Sequence, residues 1–194
     1  MTTVGVILAG GRSSRMGTDK ALVQIGGVTL LDRAISRLSP QVDALAINSN
    51  VAIADQRLPV LPDATADFDG PLAGILAGLT WARSLGAQHL ASVAVDTPFF
   101  PLDLVERMAT IETSSIILAR SGGRNHPVFG LWPIEAVRPL KEFLERGNTR
   151  RVMAFLDGYG YESVDFPDEP FDPFFNINTP QDLAAAVETE ASFS

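Results

Sequence analysis

Three cations fall within nine residues of an acidic chain. Arg12, Arg15 and Lys20 lie in the stretch Leu8-Ala9-Gly10-Gly11-Arg12-Ser13-Ser14-Arg15-Met16-Gly17-Thr18-Asp19-Lys20. The glycine pair lets backbone amides approach a base or phosphates, and the cations can neutralise a triphosphate. The stretch is not a Walker A loop, which needs Gly-Lys-Ser/Thr after a second glycine, and it lacks the Gly-x-Gly-x-x-Gly of dinucleotide sites. A turn with solvated cations is the plain alternative, and Arg12 fits it best of the three.

A carboxylate is the second chemical feature. Asp96 closes the apolar run Leu90-Ala91-Ser92-Val93-Ala94-Val95, where a charge is costly unless it is exposed, paired or bound to a cation. Mg²⁺ takes one or two carboxylates plus phosphate oxygens and water, so Asp96 suits a metal; capping the Thr97-Pro98 turn is the alternative. Asn176 and Asn178 alternate in an extended segment and point the same way, either toward one ligand or into a turn before Thr179-Pro180. His126, before Pro127, reads as a structural hydrogen-bonding residue rather than a base, and His89 as a helix-end residue. Trp81 and Trp132 read as core. Arg150-Arg151, after Gly147-Asn148-Thr149, can grip a second phosphate or form a solvated face.

The elements that hold these residues follow from periodicity. Val4–Ala9 is a continuous apolar run, as in a central strand buried on both faces. Val28, Leu31, Ile35 and Leu38 carry a helical stripe that Pro40 ends. Ala44–Asn48 and Val60–Asp63 read as strands, and Gly70-Pro71 opens a helix to about Leu85, with Pro71 suited to its first turn. Leu90–Asp96 is a strand and a helix begins near Pro101. The order β-α-β-β-α-β-α predicts an α/β domain with a mainly parallel sheet, with ligands beyond the carboxyl ends of its strands. Gly10-Gly11, Asn48, Asp63 and Asp96 all fall at such ends. The second half predicts a strand at Ser115–Ala119, an antiparallel piece at His126–Leu131 and a helix from Pro133 to Arg146. A short helix over Thr149–Asp157, a strand at Tyr161–Asp165 and an extended loop over Phe166–Pro173 follow. Thr179 is placed to cap a last helix that has Pro180 at its first position.

Composition narrows the classes. With 194 residues and 46% hydrophobic content the chain can build one sizeable core. A net charge of −8 argues against nucleic-acid binding. The absence of cysteine excludes disulfides, thiolate metal sites and cysteine nucleophiles. The first apolar run lacks a basic flank and is too short to span a membrane, so a cytoplasmic protein without a membrane partner is expected.

Leu8–Lys20 resembles the Leu-Ala-Gly-Gly-x-Ser-x-Arg-Met-Gly-x-Asp-Lys signature of the MobA family, the molybdenum cofactor guanylyltransferases. Asp69-Gly70-Pro71-Leu72-Ala73-Gly74, Asp96-Thr97-Pro98 and Phe175-Asn176-Ile177-Asn178-Thr179-Pro180 are similar to later blocks of that family, in order. Asn125-His126-Pro127 and Arg150-Arg151-Val152-Met153 also match. The resemblance implies a three-layer α/β/α Rossmann-like sandwich of the nucleotide-diphospho-sugar transferase type. It implies one nucleotidyltransferase domain over 1–194, with a nucleotide-binding half at 1–110 and an acceptor-binding half at 111–194. By the same resemblance Leu8, Ala9, Gly10, Gly11, Lys20, Asn48, Asp63 and Asp96 bind the nucleotide. Lys20, Arg15 and Asp96 are catalytic, Asp96 holds Mg²⁺, and Gly70, Arg151, Asn176 and Asn178 serve the acceptor. Asn178 is an alternative second metal ligand. Val95 stands where the family often has cysteine, apolar for apolar.

The implied reaction joins GMP from GTP to the terminal phosphate of molybdopterin and releases pyrophosphate. The implied partners are those two substrates, with transient contacts to other cofactor-biosynthesis proteins. The nearest rival is a cytidylyltransferase acting on the same pterin; such enzymes read Leu-Ala-Ala-Gly, so base choice rests on Gly10. A sugar-1-phosphate nucleotidyltransferase fits the Arg150–Met153 and Asn176–Asn178 blocks less well. A non-catalytic GTP-binding module has less need of Lys20 and Asp96 together, and the missing glycine fingerprint disfavours an oxidoreductase.

Overall fold

The computed structural model describes residues 2–10, 20–53, 58–63, 70–147 and 149–193. Its first strand, β1 (Thr3–Leu8), is buried throughout. Val4, Val6 and Leu8 face one layer of helices while Ile7 faces the other, the two-residue alternation of a strand covered on both sides. A short 3-10 turn at Lys20–Leu22 leads into a hairpin, β2 (Gln24–Ile25) and β3 (Val28–Thr29), and then into α1 (Leu30–Leu38). The expected helix therefore starts two residues later than its apolar stripe. Thr29 is its N-cap, Oγ1 accepting from Asp32 N at 3.0 Å, a cap worth about 1 kcal/mol. Pro40 does not stop the chain abruptly; it sits inside a 3-10 turn, Ser39–Gln41.

Then follow β4 (Ala44–Asn48), β5 (Val60–Leu61), α2 (Pro71–Ser84), β6 (His89–Ala94), α3 (Leu104–Ala109), β7 (Ile116–Ser121) and β8 (Arg124–Pro133). The chain ends with α4 (Val137–Arg146), α5 (Val152–Tyr159), β9 (Tyr161–Asp165) and α6 (Pro180–Phe193). His89 thus opens a strand rather than closing a helix. α3 and α5 both begin about three residues later than expected, with Asp103 and Arg151 at their N-cap positions and no side-chain cap on either.

The large sheet has the order β5-β4-β1-β6-β8-β7-β9. Among the described residues, six of its strands run one way and β8 is antiparallel to both its neighbours, β6 and β7. One core cluster joins the sheet to α1, α3 and α6, and a second joins the other face to α2, α4 and α5. This is the expected three-layer α/β/α sandwich with a mixed, mainly parallel sheet. Trp132 is fully buried in the second cluster, its indole N–H donating to Ser92 Oγ at 2.8 Å, and Trp81 packs at that cluster's edge.

Helix α2 lies unusually close to the sheet. A Cβ on Gly78 would stand 3.0 Å from side-chain atoms of Val6 and Leu90, and one on Gly74 only 2.2 Å from Asn48 Oδ1. The two glycines, four apart, form the helix face that meets the strands.

Candidate active site

The carboxyl ends of β1, β4, β5 and β6 gather one set of predicted residues along a single edge. Ala9 extends the β1–β4 ladder, its N–H donating to the Asn48 carbonyl at 2.9 Å, and Val95 N–H reaches the Leu8 carbonyl at 3.1 Å on the other side. Leu8 is buried, and Gly10 is exposed at the end of the strand. Gly11, Arg12 and Arg15 lie outside the described residues. Lys20 enters with its backbone at the start of the 3-10 turn, its side chain outside them.

Asn48 is a buried amide at 3% exposure. Its Nδ2 donates to the Leu61 carbonyl at 3.1 Å and to Asp63 Oδ1 at 2.9 Å. The other carboxylate oxygen of Asp63 accepts from Asn50 Nδ2 at 2.7 Å, and Asp63 N donates back to Asn50 Oδ1 at 2.8 Å. The Asp63 carboxylate is therefore oriented by two side-chain amides, one on each oxygen. Asn48 Oδ1 occupies the space between two glycines, 3.4 Å from a Cβ built on Gly10 and 2.2 Å from one built on Gly74. Asn50 went unread in the sequence; its spacing of two from Asn48 was the available signal.

Asp96 lies in the turn after β6, half-buried. Its carbonyl accepts from Ile177 N at 2.8 Å, which ties a segment eighty residues away onto the strand end. Thr97, fully buried, donates its hydroxyl to Asn176 Oδ1. Asn176 and Asn178 are both exposed on either side of buried Ile177. The next described helix has Asp103, not Asp96, at its N-cap position. The turn before α6 is braced by Thr179 and Asp182: the carboxylate accepts from Asn178 N and Thr179 N, and Asp182 N donates to Thr179 Oγ1 at 3.1 Å.

Gly70 occupies the position before α2 with φ +116°, ψ 175°, a conformation that is essentially glycine's alone and costs another residue about 1–3 kcal/mol. Asp69 lies outside the described residues. Arg151 stands exposed before α5, its N–H on Thr149 Oγ1 at 3.3 Å; the hydrogen bonds that join Asp96 to Ile177 and Asn176 to Thr97 do not extend to it.

His126 is the structural residue expected. It is 8% exposed, with Nε2 2.7 Å from Ser121 Oγ and its ring stacked on Phe174 at 4.5 Å. Burial pushes its pKa below the ordinary value, outweighing the nearby Asp172 carboxylate, which pulls it up.

Among the described residues no cluster of three or more His, Asp or Glu side chains could cage a metal. A single carboxylate at an open strand end instead suits a hard cation that keeps several waters and takes its other ligands from phosphates. Also among the described residues, no helix is long and apolar enough to cross a membrane.

A three-layer sandwich with amide and carboxylate groups along the carboxyl edge of its parallel strands has the edge at which α/β folds of this kind bind ligands, and the family match makes it a nucleotidyltransferase fold. The chain belongs to the MobA-like NTP transferase family, whose domain matches residues 5–160. It is similar to the molybdenum cofactor guanylyltransferase of Rhizobium leguminosarum bv. trifolii, 47% identical over 94% of this chain and 90% of that one. The protein of the same name from Mesorhizobium japonicum is 45% identical over 94% and 93%. In fold it is similar to molybdopterin-guanine dinucleotide biosynthesis protein A of Archaeoglobus fulgidus, with a TM-score of 0.74 and 22% identity over 97% of this chain and 99% of that one.

Proposed function

We propose that the chain transfers GMP from GTP to the terminal phosphate of molybdopterin, releasing pyrophosphate and forming the guanine dinucleotide form of the molybdenum cofactor. The observation that carries this reading is identity near 45% along almost the whole chain to proteins named for that reaction. The strand-end group fits it.

The acceptor is a phosphate monoester with a second pKa of about 6, so it is already largely dianionic near neutral pH. The reaction needs no general base, in keeping with a chain whose two histidines lie elsewhere: His126 is buried against Ser121, and His89 begins β6 at the opposite end of the strand from Asp96. Catalysis then consists of alignment and charge neutralisation. Leu8, Ala9, Gly10 and Gly11 supply backbone around the guanine, and Asn48 and Asp63 form the adjoining polar wall. Lys20 and Arg15 stabilise charge developing on the leaving pyrophosphate. Asp96 would hold Mg²⁺, which would supply positive charge to offset that of the phosphates. Gly70, Arg151, Asn176 and Asn178 face the acceptor. The nucleotide-binding half spans 1–110 and the acceptor-binding half 111–194, with Gly70 reaching the acceptor from the first half, and a cytoplasmic location suits a route that consumes GTP.

The test supplies labelled GTP or CTP with Mg²⁺ and molybdopterin and scores the dinucleotide formed. GMP transfer with little CMP transfer is expected. Dominant CMP transfer would reassign the base, and product from neither would reject the reading.

A further inference from the structure

A hydrogen-bonded polar trio lies outside the strand-end group: Ser121 and His126 are buried and Asp172 is half-buried. Ser121, the last residue of β7, is 2% exposed. Its Oγ donates to Asp172 Oδ1 at 2.8 Å and lies 2.7 Å from His126 Nε2. A hydroxyl has one proton, and a carboxylate only accepts. Ser121 therefore gives its proton to Asp172 and takes a hydrogen bond from His126, which fixes the proton of that imidazole on Nε2. This order makes the trio inert as a nucleophilic triad, because the serine points away from the histidine and toward the carboxylate.

The backbone brings the three together by an irregularity. Leu118 pairs with Gly130, but the next residue, Ala119, pairs with His126. The extra residues of β8, Pro127 to Phe129, form a bulge that re-aims the strand's start. The β6–β8 ladder stops at Ser92–Gly130. Beyond it the segment from Asp172 to Ile177 lies against the strand ends. Asp172 Oδ1 accepts from Phe174 N at 2.9 Å, and the Asp172 carbonyl from Phe175 N at 3.1 Å. Phe174, fully buried, packs against His126, Phe129 and Phe166. Asn176 follows two residues later, with its oxygen on Thr97, and then Ile177, with its N–H on Asp96.

We propose that Ser121, His126 and Asp172 are positioning residues: a buried clamp that fixes the register of Asn176 and Asn178 against Asp96 and so aligns the acceptor phosphate. Satisfied buried polar groups specify one arrangement where apolar packing would tolerate several. The loop over Phe166–Pro173 has no ladder of its own to do so. The inference rests on the reading of Asn176 and Asn178 as acceptor-side residues.

The test compares Asp172→Ala and Ser121→Ala with Asp172→Asn, which keeps an acceptor oxygen for Ser121 and Phe174. Amide exchange at Ile177 is read against Val6 in β1, together with the molybdopterin KM, kcat and calorimetric GTP affinity. The alanine variants should speed exchange at Ile177 and leave Val6 unchanged. They should cut kcat/KM for the acceptor about 10- to 100-fold, the cost of misalignment of roughly an ångström or less, with GTP affinity within twofold. Asp172→Asn should restore most of both. Unaltered Ile177 exchange overturns the clamp, and accelerated exchange with unaltered transfer overturns its positioning role. A wild-type chain that transfers no GMP rejects the guanylyl reading instead, while the exchange data still decide the clamp.

Discussion

The proposed nucleotide side and the proposed acceptor side of this edge are built by different means. On the nucleotide side, β1, β4 and β5 are adjacent and parallel, and the groups that matter sit on their last residues or just beyond. Asn48, Asn50 and Asp63 bond to one another across at most fifteen residues of sequence. On the acceptor side, the strand end of Asp96 is completed by a segment about eighty residues later, itself held by a bulged strand and a largely buried polar trio. Rigidity comes from short-range strand geometry in one case and from long-range pins in the other. Substitutions should therefore fail differently on the two sides.

The largest effect belongs where the two sides meet. Asp96→Ala removes the carboxylate that would hold the metal, and the backbone carbonyl that binds Ile177 remains. GMP transfer should fall by at least about 100- to 1,000-fold, the scale for deleting one electrostatic stabiliser, with an unchanged melting curve. Near-normal turnover would remove Asp96 from the mechanism. Gly74→Ala comes next. Its new Cβ would overlap Asn48 Oδ1, at 2.2 Å, in a buried position with no room to turn, and overpacking of this kind costs about 1–3 kcal/mol. Displacing Asn48 also releases Asp63, so GTP affinity should weaken about tenfold or more while acceptor KM changes little. Equal losses in both substrates would erase the distinction between the sides.

What the sequence disclosed follows the same division. The first strands, their helices and the strand-end residues Gly10, Asn48, Asp63 and Asp96 were legible because a buried parallel strand announces itself as an apolar run and its functional residues lie where the run stops. The start of α1 was misplaced because Val28 and Thr29 carry the apolar and capping pattern of a helix start while pairing in a two-residue hairpin. The acceptor side was legible only in part. Asn176 and Asn178 could be paired by their alternation, but nothing local in Ser121 or Asp172 marks them, since their meaning arises from contacts five and fifty-one residues away. The bulge at Pro127 that brings His126 to Ser121 likewise has no signature beyond a proline inside a strand.

Gly10→Ala separates the fold from base choice. Its Cβ would sit 3.4 Å from Asn48 Oδ1, ordinary contact, with no backbone conformation forbidden to alanine. Stability should change by less than about 1 kcal/mol. If Gly10 makes room for guanine, the GTP to CTP preference in kcat/KM should shift by about 10-fold or more toward CTP, on the scale of one methyl group in a fitted pocket. An unshifted preference would move base selection away from Gly10 and toward Asp63.

The smallest expected effect is on pH dependence, and it reports on the acceptor side. Burial lowers the pKa of both His126 and His89 in the folded chain, so the unfolded chain binds more protons between those lowered values and about 6.5. Stability then rises with pH across that window: the contribution is complete above about 6.5 and is lost as pH falls below it. Asp165, whose carboxyl is held low by Arg120, acts only under more acidic conditions. Urea midpoints measured from pH 7.5 down to 5.5 should fall, and His126→Gln should flatten part of the slope. The position of the loss matters more than its size. Protonating His126 does not break its Nε2–H donation to Ser121, but places a charge among Phe174, Phe129 and Phe166. Exchange at Ile177 should therefore accelerate on acidification before exchange at Val6 does. Simultaneous acceleration would mean that the two sides open as one unit and that the clamp has no separate stability of its own.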